Sequence, residues 1–234
     1  MIRLSPMHDR LQCINGTLQD LNGMPTLLSV PDEVRIATHL GIADVSCLTR
    51  FGVKGADAAA WLSSQGITTP DRPNTWNPLP DGGIIARLGL TEFLIEDDLQ
   101  SHFAVNLAKL CQQPPAKVYP VLRQDAAIVL CGSAVNELLL QTCSVNFRVL
   151  SLLEHPVMLT SMVGVAVTII PGDRNGNPFY RIWCDGTFGT YVWQTLEAIV
   201  QELGGGVIGL AKRMRDEGCS LLPVGEACRR HRVG

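Results

Sequence analysis

Two arginines interrupt otherwise apolar, strand-like runs: Arg87 in DGGIIARLGL (81–90) and Arg181 in FYRIWCDG (179–186). A guanidinium offers donors only and grips a carboxylate through two parallel hydrogen bonds. If both face one cleft they make it cationic, a site for a small carboxylate ligand. Strand alternation leaves Arg87 a second option, the wet face of an antiparallel sheet. Trp183, two residues beyond Arg181, has the choice of stacking on a planar ring or filling a core, and Trp193 has the same choice; core is the commoner fate. Asp97-Asp98 resembles a carboxylate pair for acid–base work. In front of LQSHFAVNLAKL, however, acids suit the free N–H groups and dipole of a helix start.

Other chemistries find little support in the motifs. There is no G-x-S-x-G and no H-E-x-x-H, and the five histidines are isolated in sequence. His39, in IATHLGIADV, reads as a structural or surface residue. Eight cysteines stand at 13, 47, 111, 131, 143, 184, 219 and 228 without a C-x-x-C pair or a His at metal-ligand spacing. Several lie in apolar runs, such as Cys131 and Cys184, where a thiol packs as a small hydrophobe. Reduced, buried thiols and no metal are the expectation. PGDRNGNP (171–178) has hairpin chemistry, and LGGGVIGL (203–210) follows a helix, so its first Gly reads as a C-cap rather than a phosphate loop.

The net charge is −3, and Lys and Arg are scattered except in Arg229-Arg230-His231-Arg232, which reads as a solvated terminus. That argues against nucleic-acid and membrane-surface binding. The opening MIRLSPMHDRL lacks the apolar core of a signal peptide, and no run reaches a membrane span. A soluble, cytoplasmic protein is expected.

The elements that must position these residues repeat. A strand RFGVKG (50–55) leads through Gly into the Ala-rich helix of GADAAAWLSSQG, and the Pro-rich 68–83 cannot continue it. Two strands, IIARLGL and TEFLIE, and a helix follow. After a break at 113–120 the order returns: AAIVLCGSAVNELLLQ gives strand, Gly and helix; VGVAVTIIPG and FYRIWCDG give the strand pair; TFGTYVWQTLEAIV gives the helix. The spacing predicts an α+β fold, one domain over 1–234 built from duplicated antiparallel-sheet-plus-helix units at about 45–112 and 121–203, with a cleft between them.

The blocks SPMHDRL, NGMP (22–25) and GIADVSCLTRFGVKGADAAAWL (41–62) resemble, in order, the conserved stretches of the glycine cleavage T-protein, the tetrahydrofolate-dependent aminomethyltransferase. GLAKRMRDEGCSLLPVGEA near the C-terminus is similar to a shortened form of another. The second half also resembles the gamma subunit of heterotetrameric sarcosine oxidase, through IVLCGSAVNELLLQTC and YRIWCDGTFGTYVW, while IARLGLTEFLI is similar to a further stretch of that subunit. The chain ends where a T-protein would begin its C-terminal barrel, so length favours the gamma-like relative.

The resemblance implies a T-protein-like folate-binding protein of one-carbon, glycine or N-methyl amine metabolism. It also shows three departures. Ala86 stands where the family carries the Asp thought to assist methylene transfer, and Ala exchanges no proton. Arg181 stands where the family holds the pteridine with a Glu, so donor would meet donor. Cys47 replaces a His. The alternative is a non-catalytic gamma-type subunit packed on a flavoprotein amine oxidase. Ala86, Arg87, Arg181 and Trp183 are the expected pocket residues, with Asp44, Ser46 and Glu226 carried over from the family's motifs; tetrahydrofolate is the cofactor implied.

Overall fold

The structure is a computed structural model that describes residues 3–174 and 176–210. Glu226, Cys219, Cys228 and most of the C-terminal block therefore lie outside the described residues. The chain opens with α1 (His8–Leu11) and the ribbon β1 (Thr17–Leu21) and β2 (Met24–Ser29), followed by α2 (Glu33–His39) and β3 (Gly41–Asp44). A first unit then runs β4 (Arg50–Lys54), α3 (Ala58–Ser64), β5 (Thr75–Pro78), β6 (Ile84–Arg87), β7 (Glu92–Glu96) and α4 (Phe103–Leu110), and β8 (Tyr119–Val121) closes its sheet. The second unit repeats it as β9 (Asp125–Cys131), α5 (Val135–Thr142), β10 (Met158–Met162), β11 (Val165–Arg174), β12 (Asn177–Asp185) and α6 (Gly189–Glu202), ending on β13 (Gly206–Val207).

The sheet orders show the duplication. One sheet is β5-β6-β7-β4-β8 and the other β10-β11-β12-β9-β3-β13, so the four strands of each unit sit in the same order. Neighbours pair antiparallel except β13 with β3, which is parallel. The sequence announces two strands before the second helix of each unit, whereas the structure has three. The extra ones are β5, inside the Pro-rich segment, and β10. Proline costs a ladder hydrogen bond, so a proline-flanked strand belongs at a sheet edge, where β5 lies and ends on Pro78.

Strand alternation sorts side chains into layers. On β6, Ile84 and Ala86 join the layer between the two sheets, while Ile85 joins Phe51, Phe93 and Ile95 under α3 and α4. On the other sheet, Ile42, Ile128 and Ile182 pack beneath Val135 and Leu139 of α5 and Val192, Trp193 and Leu196 of α6. The result is helix, sheet, sheet, helix, with the middle layer supplied by both units. Each unit turns from its first strand into its helix through a left-handed glycine, Gly55 (φ +131°) and Gly132 (φ +111°).

Candidate functional site

Among the described residues, the middle layer carries a cluster of buried ion pairs at one place. Arg50 on β4 stands directly across from Glu96 on β7 in the antiparallel register, and both turn inward. On β12, Arg181 and Trp183 are two residues apart and share the inward face. These side chains meet. The Glu96 carboxylate accepts from Arg50 Nη1 at 2.7 Å and from Trp183 Nε1 at 2.6 Å, both through Oε2, and Arg181 Nη1 stands 2.8 Å from Oε1. Glu96 is 0% exposed, and the side chains of Arg50 and Arg181 are 3% and 2% exposed. So deep a carboxylate persists only because paired cations offset its desolvation.

The cluster continues outward with alternating sign. Arg50 Nε lies 3.8 Å from Asp125 Oδ2, Arg123 Nη1 lies 3.9 Å from Asp125 Oδ1, and Arg123 Nη2 pairs with Glu92 Oε1 at 2.8 Å. Three cations and three anions thus cancel, and they tie β4 and β7 of one sheet to β9 and β12 of the other. Burial raises the Asp125 pKa above the ordinary carboxylate value, against the pull of Arg50 and Arg123.

Asp44 and Ser46 form the turn that leaves β3 beside this cluster. Asp44 Oδ1 accepts the Ser46 N–H at 2.8 Å, Ser46 Oγ accepts the Ala127 N–H at 3.0 Å, and the Ser46 carbonyl accepts from Arg50 Nη2 at 3.2 Å. They shape backbone and hold Arg50 in place. Burial pushes the Asp44 pKa up, opposed by hydrogen bonds from Ser46 and Ser5 and by the Arg50 charge. The folded chain holds that proton more tightly than the unfolded chain. Protonated Asp44 therefore favours folding below the ordinary carboxylate pKa, and that contribution is lost as pH rises through the raised value. Asp44→Asn is expected to flatten this part of the pH dependence, read as melting temperature between about pH 4 and 7.

Arg87 does not reach the cluster. It lies one residue past the inward Ala86 and so points to the opposite face of its sheet, where it sits 5.5 Å over the Phe93 ring. Its guanidinium donates to the carbonyls of Pro70, Asp71, Leu90 and Gly89 at 3.0, 2.8, 2.7 and 3.3 Å. The expectation of a common cationic cleft is thereby corrected: Arg87 staples two loops, and Arg181 is neutralised by Glu96. Arg87→Ala should cost about 2 kcal/mol in urea unfolding, because charge-assisted bonds to several carbonyls disappear, and leave the Glu96 cluster unchanged.

Ala86 is 0% exposed and lies between Trp76 and Leu94 in the strand register, in an apolar layer. Burial likewise pushes the Cys47 thiol up to about 11, so it is no nucleophile at neutral pH. Asp97 accepts the Ala104 N–H at 3.0 Å within the first turn of α4, as a helix-start acid should. His39 Nε2 donates to the Leu203 carbonyl at 2.8 Å, a structural contact. Among the described residues no group of three or more His, Cys, Asp or Glu could hold a metal, and no helix is long and apolar enough to cross a membrane.

Sequence reading missed Glu96, and with it Arg50, Asp125, Arg123 and Glu92. For Glu96 the signal lies in TEFLIE, where alternation puts it on the same face as Leu94, next to an Asp97-Asp98 pair that has the more familiar pattern of a helix start. The place of Glu96 also decides the fit to a pterin. A pterin's amino-amide edge needs a carboxylate acceptor; at the Arg181 position the structure holds a guanidinium, and the nearby carboxylate is fully buried and already engaged by Arg50, Trp183 and Arg181. The implied clamp residues do not fit that group. Beside the cluster opens a groove of about 1220 Å³, walled by Arg3, Arg50, Leu94, Arg123, Asp125 and Trp183 among others.

No family model matches the sequence, and no match to a curated protein is found. By structure, the chain is similar to the glycine cleavage system aminomethyltransferase T from Bartonella henselae, with a TM-score of 0.69 and 13% identity over 90% of this chain. It spans 60% of that protein's chain. It is also similar to heterotetrameric sarcosine oxidase from Corynebacterium sp. U-96, with a TM-score of 0.61 and 17% identity over 87% of this chain and 97% of the matched one. At these identities the likeness is one of fold: the chain has the duplicated α+β architecture found in aminomethyltransferase T and in a chain of that sarcosine oxidase.

Proposed function

We propose that the chain is a non-catalytic, gamma-type subunit of a flavin-dependent amine oxidase of the sarcosine oxidase kind, acting in N-methyl amine or one-carbon metabolism. The observation that carries this reading is Ala86, 0% exposed among apolar side chains at the position where the T-protein resemblance implies an acid. A methyl side chain exchanges no proton there. The match over 97% of a chain from a heterotetramer supports the same reading. Affinity purification of the tagged chain from its native cell tests it. Co-elution with flavin absorbance in a larger complex is expected; a solitary, monodisperse chain would sink the proposal.

A second reading, a retained site for reduced folate, is favoured by the large groove walled in part by Trp183. Calorimetric titration with 5-formyltetrahydrofolate separates the two. Because the Glu96 cluster closes the clamp position, the subunit reading expects no saturable heat, and micromolar binding would favour the folate reading.

A further inference from the structure

We infer that the intersheet cluster is a carboxylate-binding site whose ligand is the chain's own Glu96, and that a short aliphatic carboxylate fills it when the Glu96 side chain is removed. Three donors from two strands of different sheets converge on one carboxylate: Arg50 Nη1, Arg181 Nη1 and Trp183 Nε1, at 2.7, 2.8 and 2.6 Å. They form the donor set of an anion site, complete without any group from β7. Once the carboxylate is gone, two guanidiniums 3% and 2% exposed lose the anion they share, and Arg50 is left with Asp125 at 3.8 Å. Removing one partner of a buried ion pair is among the costliest changes a core can suffer, so the site selects an anion.

The internal ligand fits imperfectly. Oε2 makes both aligned hydrogen bonds, whereas Oε1 touches Arg181 Nη1 without an aligned one, because the tether to β7 sets the carboxylate's angle. A free carboxylate can turn to align both oxygens. Glu96→Ala deletes a CH₂–COO⁻ group, so acetate matches the space left. Arg50 and Trp183 also line the open groove, which supplies the way in. In the natural chain the tethered carboxylate stands at an effective concentration that millimolar acetate cannot match, so the site stays closed to small carboxylates.

The test is thermal melting of the full chain and its Glu96→Ala variant, titrated with sodium acetate at ionic strength held constant with chloride. The variant should melt lower than wild type, and acetate should raise its melting temperature saturably, by roughly 5–10 °C at a hundredfold excess over Kd. Acetamide and methylammonium should do nothing, and wild type should not respond. If the variant does not fold unaided, recovery on refolding from urea with acetate, acetamide or chloride gives the same comparison. Arg181→Met in the Glu96→Ala background should abolish the acetate effect. A response to acetate no greater than to chloride, or equal for acetamide, would overturn the inference, as would a Glu96→Gln variant as stable as wild type. These readouts involve neither folate nor a flavoprotein, so they stand apart from the subunit reading.

Discussion

Arg181→Glu is expected to lower stability by roughly 3–5 kcal/mol or more, the range for breaking a buried ion pair with a like charge left behind. The substitution would set a second carboxylate against Glu96, which is 0% exposed and would keep Arg50 and the Trp183 N–H as its described partners. Against a total stability of about 5–15 kcal/mol this brings the chain near unfolding at room temperature. Arg181→Met should cost distinctly less, because Glu96 keeps Arg50 and the Trp183 N–H. Urea unfolding of the two variants decides: equal losses would mean that packing, not charge, makes Arg181 necessary. The ordering also bears on function, since the same Arg181→Glu change restores the residue type that the folate-binding resemblance implies at this position. Loss of the fold on making it would show that the intersheet cluster, not a pterin, is what this position now serves.

Gly132→Ala and Gly55→Ala are the second pair of large effects, each expected to cost roughly 2–5 kcal/mol from left-handed backbone strain plus steric conflict. A Cβ on Gly132 would stand 2.5 Å from the His39 carbonyl oxygen and 2.6 Å from its carbon, backbone atoms that cannot swing away. On Gly55 it would collide with the Lys117 carbonyl oxygen. Gly23→Ala is the control, because nothing lies near its Cβ position although its φ is also positive. Melting temperatures should therefore fall much further for Gly55 and Gly132 than for Gly23. Equal losses at all three would attribute the effect to backbone conformation alone.

These two glycines also mark how much of the fold was legible in the sequence. The runs FGVKGADAAA and VLCGSAVNEL each place a Gly between a strand and a helix, and both glycines turn the chain at positive φ. Strand alternation likewise put Arg181 and Trp183 on one face, and Asp97 in front of a helix accepts one of its N–H groups. All of these are local: backbone φ, side-chain period and free helix-end donors depend on residues a few positions apart.

The chain by itself therefore determined the α+β class and the duplication, though not β5 and β10. Tertiary structure alone decided what the charges do. Glu96 meets Arg50 across 46 positions of chain and Trp183 across 87, contacts that exist only because two sheets stack face to face. Arg87 and Arg181 occupy similar places in similar strands, yet one residue of register sends Arg87 out to loop carbonyls while Arg181 turns inward to a carboxylate. A guanidinium's partner is set by which surface lies a few ångströms away, and that follows from how the layers pack rather than from the residues beside it in sequence.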